Sequence, residues 1–188
     1  IVRGNKSLAI TSTVDLYNSA LNKLGLDAKP GMPKISPPEG ISFDHLPKMA
    51  KRILIFPGAL HETKRYPAAY YKQLIRMSPA DYQFIILGSP AERELAASIT
   101  EDERTIDLCG QLSLLELAAI IDTADWVISS DSGPMHIAAA LKKKQIAIFG
   151  ATHPRLGFAP QNPLAKLLVA NLPCQPCSLH GGAQCPKK

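Results

Sequence analysis

Short runs of consecutive apolar residues alternate with helix-like segments through most of this 188-residue chain. Such runs predict strands buried on both faces, because a strand with one wet face alternates apolar and polar residues. Strands that alternate with helices predict a parallel sheet, since parallel neighbours require crossover connections. The strands are predicted at residues 52–56, 82–87, 105–108, 126–130, 145–149 and 166–170. The predicted fold class is α/β, with a doubly wound parallel sheet.

Start signals predict helices between these strands. One helix runs from Pro67 to Met77, with proline in the first turn, where a backbone N–H has no partner to lose. The sequences SPAE (residues 89–92) and SLLE (residues 113–116) have the spacing of a capping box, which begins a helix. A further helix, residues 134–141, follows the polar sequence SSDSG. That junction between strand and helix is the first candidate site.

Two segments lie outside the alternating region. Residues 14–24 have apolar side chains at helical spacing, and residues 29–47 contain five prolines and form a predicted linker. Residues 171–188 contain three of the four cysteines. The predicted division is therefore a helix and linker (residues 1–50), an α/β domain (residues 51–170) and a cysteine-containing tail (residues 171–188).

Composition excludes several classes of protein. The chain is 46% hydrophobic and 20% charged, as in ordinary soluble proteins, and it has no apolar run near the ~20 residues of a membrane span. The net charge is +5, but Lys142–Lys144 is its single basic run, so no nucleic-acid partner is predicted. The first residues do not have the pattern of a signal peptide, which predicts a cytoplasmic location. Because the chain begins with Ile1, we expect a fragment.

Two predicted loops at the carboxyl ends of strands favour an anionic ligand. Asp131-Ser132-Gly133 precedes a helix whose first N–H groups suit a phosphate, although an ordinary helix cap is the alternative interpretation. The loop after the first strand combines a bare backbone at Gly58-Ala59 with the Lys64 cation, which is alternatively a plain surface charge. Ligands of doubly wound sheets bind at this edge, so the two loops together favour a site.

Other residues in these loops leave alternatives open. His136 follows in the same helix and either faces the ligand or points to solvent. Glu92 accepts hydrogen bonds from a ribose or base, or merely completes its capping box. The Walker A, G-x-G-x-x-G and G-x-S-x-G motifs are all absent from the sequence. These absences argue against P-loop kinases, NAD dehydrogenases and α/β-hydrolases.

The tail has the ligand types of a zinc site. Cys174, Cys177, His180 and Cys185 lie within twelve residues, but in one short segment rather than two knuckles. Gly181-Gly182 predicts flexibility. Reduced thiols or adventitious disulfides are the favoured interpretation, and zinc is the alternative. Cys109, alone in mid-chain, is predicted to be a small buried apolar residue.

The order of the motifs resembles glycosyltransferase family 9, the ADP-heptose:lipopolysaccharide heptosyltransferases. The residues that carry the resemblance are FPG (56–58), KRYP (64–67), LGSPAE (87–92), GQLSLLE (110–116), DSGPMHIAAA (131–140) and FGATHP (149–154). The resemblance implies the GT-B architecture of two facing Rossmann-like domains, and this chain is similar to the second, which binds the donor. It implies inverting transfer without a cofactor, with the general base on the N-terminal domain. The isolated chain is therefore expected to be inactive.

The resemblance also implies roles for residues on the nucleotide side of the site. Lys64 would hold the donor diphosphate, Glu92 the ribose or adenine edge, and Leu112 the adenosine. Some family members have two threonines where this chain has Gly58 and Ala59, which leaves backbone contacts to phosphate there. ADP-heptose is thus the expected donor, with another nucleotide-linked sugar as the alternative.

On the sugar side, the resemblance implies that Asp131 binds heptose hydroxyls. Ser132, Gly133 and His136 would bind the diphosphate and sugar, and Lys64 and His136 would support the transition state. The implied acceptor is the lipopolysaccharide core or a lipid A precursor, at the cytoplasmic face of the inner membrane. The alternatives are a nucleotide-binding module without transferase activity and a zinc or redox module built on the tail.

Overall fold

Six parallel strands form one sheet in the computed structural model, which describes residues 12–185. The strands are β1 (Lys51–Phe56), β2 (Tyr82–Ile86), β3 (Thr105–Asp107), β4 (Trp126–Ser130), β5 (Gln145–Phe149) and β6 (Ala165–Val169). Every neighbouring pair is parallel, in the order β3-β2-β1-β4-β5-β6. The predicted strands are confirmed, and their ends differ from the prediction by a single residue at most.

Helices and short 3-10 turns connect the strands. The helices are α1 (Thr13–Lys23), α2 (Ala68–Met77), α3 (Arg93–Ala97), α4 (Leu114–Asp122) and α5 (Gly133–Ala140). Pro67 precedes α2 instead of lying in its first turn, because its backbone is extended. The 3-10 turn Pro154–Leu156 was not predicted from the sequence. Within residues 12–185, none of the helices combines the length and apolar character that a membrane span needs.

The two capping-box sequences do begin helical segments. At the start of α4, the Ser113 backbone N–H donates to Glu116 Oε2 (2.7 Å) and the Glu116 N–H donates to Ser113 Oγ (3.3 Å). At the turn before α3, the N–H of Ser89 donates to Glu92 Oε2 (2.7 Å). These bonds satisfy backbone groups that a helix start leaves without partners. The hydrogen bonds hold residues 89–92 and 113–116 in place, and both segments line the candidate site described below.

The two larger apolar clusters among residues 12–185 pack against the sheet, one on each face. Leu54 and Phe56 of β1 belong to one cluster, and Ile53 and Ile55 belong to the other. Consecutive side chains of a strand point to opposite faces, so this division shows helices covering both sides. The doubly wound α/β fold is therefore confirmed.

The predicted linker contributes to this core. Phe43 and Leu46, near its end, are buried in the cluster that contains Leu54. Their burial could not be predicted from the sequence, because both residues lie in a proline-rich segment. Helix α1 behaves differently, since none of its residues is buried and its apolar side chains Leu16 and Tyr17 are exposed. It is attached through hydrogen bonds such as that from the Thr13 N–H to the Gly157 carbonyl (3.0 Å).

The strand order places a crevice beside β1 and β4. From β1 the chain proceeds outward through β2 and β3, and it then returns to β4 and continues outward on the other side. The loops after β1 and β4 consequently diverge, and a crevice opens between them at the carboxyl edge of the sheet.

Candidate functional site

Two cavities lie at this crevice and share Ser132. The larger, here called the apolar cavity, measures about 440 Å³, and the smaller, here called the Lys64 cavity, about 200 Å³. Predicted site residues line both cavities. The apolar cavity contains Gly58, Ala59, Glu92, Leu112 and Ser132, and the Lys64 cavity contains Lys64, Asp131, Ser132, Gly133 and His136. The structure thus brings all nine predicted residues to one edge of the sheet.

The apolar cavity has the walls of a site for a flat, weakly polar group. Besides Leu112, its lining includes Phe56, Leu87, Leu108 and Leu117, which come from β1, the loops after β2 and β3, and α4. Apolar walls with a few placed polar groups are typical of small-molecule sites. An aromatic base with its attached ribose matches that description.

Glu92 closes over the loop that follows β1. A Cβ atom at Gly58 would lie 1.6 Å from Glu92 Oε1, so no larger residue fits there without displacing the carboxylate. Glu92 Oε2 also accepts hydrogen bonds from the N–H and Oγ of Ser89 (2.7 and 3.0 Å). Glu92 therefore completes the capping box, as one of its two interpretations predicted. The same residue also lines the apolar cavity.

An ion pair occupies the Lys64 cavity. Lys64 Nζ lies 2.8 Å from Asp131 Oδ2, and the two side chains are only 16% and 7% exposed. The Thr152 hydroxyl donates to the same oxygen (2.7 Å). Asp131 thus serves to orient the lysine, and the interpretation of Asp131 as a helix cap is wrong.

Helix α5 begins at this ion pair. Ser132 is its N-cap residue, and within residues 12–185 its side chain makes no capping bond to α5 but donates to the Ser130 carbonyl (3.2 Å). Pro134 has no N–H and the Met135 N–H donates to the Ser132 carbonyl (3.2 Å), so the start of α5 offers an anion the Gly133 N–H and the positive end of the helix dipole. A Cβ atom at Gly133 would meet none of the described atoms within 4 Å, so the space above this backbone is open.

His136 lies one turn into α5 at the edge of the Lys64 cavity. Partial burial lowers the pKa of its imidazole, the Asp131 carboxylate opposes that change, and the Lys64 cation adds to it. The imidazole is therefore neutral at neutral pH, with one nitrogen able to donate a hydrogen bond and the other able to accept one.

The tail is tied to the loops of the site. Thr63 exchanges hydrogen bonds with Gly182, since its Oγ donates to the Gly182 carbonyl (2.8 Å) and accepts from the Gly182 N–H (2.8 Å). The Gln175 amide donates to the carbonyls of Phe149, Gly150 and Thr152. We call residues 174–182 the tail strap. These bonds hold the segment against the loops after β1 and β5, and the flexibility expected of Gly181-Gly182 stays a prediction.

The predicted zinc ligands are divided between two places. Cys174, Cys177 and Cys185 line a separate cavity of about 420 Å³, whereas His180 faces the Lys64 cavity. Within residues 12–185, no group of three or more His, Cys, Asp or Glu side chains is arranged to hold a metal ion. The structure therefore does not assemble the four-ligand zinc set. Cys109 is buried as predicted, and burial raises the pKa of its thiol to about 11.

Several residues of the site were not predicted from the sequence. Phe158 and Leu179 line the Lys64 cavity, and Thr63, Thr152 and Gln175 hold its walls. Their contacts could not be read from local sequence, although Thr152 lies within FGATHP, because each hydrogen-bond partner is distant in the chain. The Thr63–Gly182 contact, for example, joins residues 119 positions apart.

Comparison with known proteins identifies the family. The model of glycosyltransferase family 9 (heptosyltransferase) matches residues 2–185. The chain belongs to glycosyltransferase family 9. The resemblance of its motifs is thus confirmed, and the two cavities are those of a family 9 domain.

Relatives of this family 9 chain are heptosyltransferases. Lipooligosaccharide heptosyltransferase 2 of Campylobacter jejuni is 36% identical over 138 residues, which cover 69% of this chain and 44% of the relative. The structure of Escherichia coli ADP-heptose lipopolysaccharide heptosyltransferase II matches with a TM-score of 0.65 and 25% identity, covering 79% of this chain and 49% of that one. The chain therefore spans less than half the length of these relatives.

A further structure shows the same fold with a nucleotide. Escherichia coli heptosyltransferase WaaC with ADP matches with a TM-score of 0.60 and 24% identity, over 73% of this chain and 43% of that chain. At that identity the match shows the fold alone.

Proposed function

We propose that this chain is the donor-binding part of an inverting heptosyltransferase that transfers heptose from an ADP-heptose to the lipopolysaccharide inner core. The observation that carries the proposal is the pair of cavities that share Ser132 at the start of α5. An apolar cavity for adenosine, a helix start for the diphosphate and a charged cavity for the sugar follow the order of groups in the donor. Relatives named as heptosyltransferases support the same assignment.

The proposed reaction breaks one bond and forms one. The acceptor hydroxyl oxygen attacks the anomeric carbon of the heptose, and the bond from that carbon to the β-phosphate oxygen breaks. ADP leaves with the electron pair, and the hydroxyl proton passes to a general base. Lys64, the Gly133 N–H at the start of α5 and the His136 imidazole would face the charge that develops on ADP, and fixed donors at such a position lower the barrier.

The general base is proposed to lie outside this chain. The Asp131 carboxylate already accepts from Thr152 and pairs with Lys64, so it is poorly placed to take the acceptor proton. A facing N-terminal domain would supply the base. The exposed apolar residues of α1, such as Leu16 and Tyr17, support contact with another domain. The proposed location is the cytoplasm, at the inner-membrane face where the lipopolysaccharide core or lipid A precursor would be met.

Binding and transfer should therefore separate in the 188-residue chain. Isothermal titration calorimetry should show saturable binding of ADP and ADP-heptose that weakens as salt rises, because the site acts on phosphate charge. UDP, whose base differs in size, should bind more weakly than ADP. Incubation with ADP-heptose and a heptose-deficient lipopolysaccharide should release no ADP.

Three outcomes would contradict parts of the proposed function. Absence of ADP binding would contradict the donor-binding role. Equal binding of UDP would favour a transferase for another nucleotide-linked sugar. Acceptor-dependent ADP release by this chain alone would show that the base is within it.

A further inference from the structure

The tail strap forms one wall of the Lys64 cavity. Leu179 and His180 line this cavity together with residues that come from the loops after β1 and β4. Neither residue lines the apolar cavity. Ser132 separates the Lys64 cavity from the proposed adenosine site. The strap therefore borders only the Lys64 side of the crevice.

Contacts on both sides fix the position of this wall. Gly182, after His180, exchanges hydrogen bonds with Thr63, and Cys177, before it, donates its N–H to the Ala151 carbonyl (2.8 Å). The Ser178 hydroxyl bonds both the N–H and the carbonyl of Gly181, which forms a tight turn around His180. His180 is thus presented from an anchored turn, although its own side chain is exposed.

Gly181 fits this wall closely against the ion pair. Its backbone has a φ of +87°, and a Cβ atom there would lie 2.9 Å from Lys64 Cγ. A glycine is therefore needed for the strap to cross the lysine stem. The strap therefore lies against the aliphatic stem of Lys64, and Leu179, His180 and Lys64 all line the cavity that a ligand would occupy.

The chemistry of the wall matches a sugar better than a phosphate. Leu179 and Phe158 are apolar, and the Phe158 and His180 rings lie with their centroids 6.1 Å apart. Apolar and aromatic surfaces suit the C–H faces of a sugar ring, and an imidazole can donate to or accept from a hydroxyl. A diphosphate would instead gain from a cation and an N–H group, which Lys64 and Gly133 at the start of α5 supply in the same cavity.

We propose that His180 is a specificity-determining residue that binds a hydroxyl of the donor sugar, with Leu179 and Phe158 packing against the sugar ring. This inference rests on the proposed function and extends it, because it assigns the tail to recognition of the sugar. The cysteine-containing tail is then part of the donor site.

Calorimetric titration of ADP and of ADP-heptose against variants of the 188-residue chain tests the proposal. His180→Ala should weaken ADP-heptose binding by about three- to tenfold, as expected for one neutral hydrogen bond, and leave ADP binding unchanged. His180→Gln keeps a side-chain donor and acceptor, so its affinity for ADP-heptose should lie closer to that of the unsubstituted chain.

His45→Ala is the matched control. His45 is exposed and lies outside both cavities, so this variant should bind both ligands normally. Equal weakening of ADP and ADP-heptose by His180→Ala would place the imidazole on the diphosphate and overturn the proposal, as would no change in either. If the unsubstituted chain bound neither ligand, the proposed function itself would be wrong and this inference with it.

Discussion

At the scale of single residues, the Lys64–Asp131 ion pair governs the charge that a ligand meets. The two side chains are nearly buried and only 2.8 Å apart, and Thr152 holds the carboxylate from a second direction. The pair is close to neutral as a unit, and both side chains line the Lys64 cavity. A diphosphate that enters therefore meets a cation whose position is already fixed, which reduces the entropy lost on binding.

Lys64→Ala should strongly weaken the binding of ADP. Loss of a charge-assisted hydrogen bond costs about 1.5–3 kcal/mol, which is at least tenfold in affinity. The variant also leaves the Asp131 carboxylate without its cation and facing the phosphates. Titration calorimetry measures the effect, and thermal unfolding verifies that the variant is folded.

The matched control for this experiment is Lys51→Ala. Lys51 also makes an ion pair, 2.9 Å from Asp125, but it lies at the opposite, amino end of β1. Its removal should leave ADP affinity unchanged. Unaltered affinity in Lys64→Ala would refute the diphosphate role of Lys64.

The sequence predicted the residues of the site that follow neighbouring strands. Lys64 and Asp131 could be placed together because the strands before them are apolar runs whose carboxyl ends share an edge. Thr152 and His180 could not be placed, because their roles depend on partners that only the folded chain brings near. From the sequence, His180 is a candidate zinc ligand. Only its position in the folded chain, at the Lys64 cavity, indicates a different role.

At the scale of elements, the tail strap acts as a brace for the loop after β1. Its bonds to Thr63 lie directly beside Lys64, and Gln175 holds the loop after β5, which carries Thr152. Both partners of the ion pair are thus supported by the same segment. The positions of Lys64 and Asp131 therefore depend on hydrogen bonds that the cysteine-containing tail makes.

Thr63→Val should loosen the strap while the sheet stays folded, because the Thr63 backbone N–H still donates to the Gly182 carbonyl (3.2 Å). The substitution removes two hydrogen bonds worth about 0.5–1.5 kcal/mol each, so the strap should open between about 5- and 160-fold more often. Hydrogen exchange at the Cys177 amide measures this opening, because that amide is bonded to Ala151 and not to Thr63.

Thr100→Val provides the comparison, since Thr100 bonds carbonyls at the end of α3, away from the strap. Exchange at Cys177 should be unchanged in that variant. Equal exchange rates at Cys177 in Thr63→Val and the unsubstituted chain would show that the strap does not depend on Thr63.

At the scale of the whole molecule, two histidines make stability depend on pH. Partial burial lowers the pKa of His136 and of His153 below 6.5. Between pH 7.5 and 5.5 the unfolded chain consequently binds more protons than the folded one, so the free energy of unfolding falls as the pH falls.

His136→Gln should reduce this loss of stability. The variant has no imidazole to protonate at that position, so the difference in free energy of unfolding between pH 7.5 and pH 5.5 should be smaller than in the unsubstituted chain. Urea unfolding at the two pH values measures the difference. An equal or larger loss in the variant would contradict the assigned direction of the His136 pKa.

The architecture as a whole was the most predictable feature. Continuous apolar runs fix strands that are buried on both faces, and that requirement alone demands helices on both sides. The contribution of Phe43 and Leu46 to the core was unpredictable from pattern, because they stand in a proline-rich segment with no periodicity. Burial there is imposed by the sheet they cover.

The two cavities differ in when the growing chain can form them. Every residue that lines the apolar cavity lies at or before Pro134, whereas the Lys64 cavity also needs Phe158, Leu179 and His180. Synthesis proceeds from the N-terminus, so the residues of the apolar cavity emerge first. The contact between Thr63 and Gly182 spans 119 positions and must wait until Gly182 has been added. A protein whose synthesis stopped between residues 136 and 158 would thus contain every lining residue of the apolar cavity and lack three of those that line the Lys64 cavity.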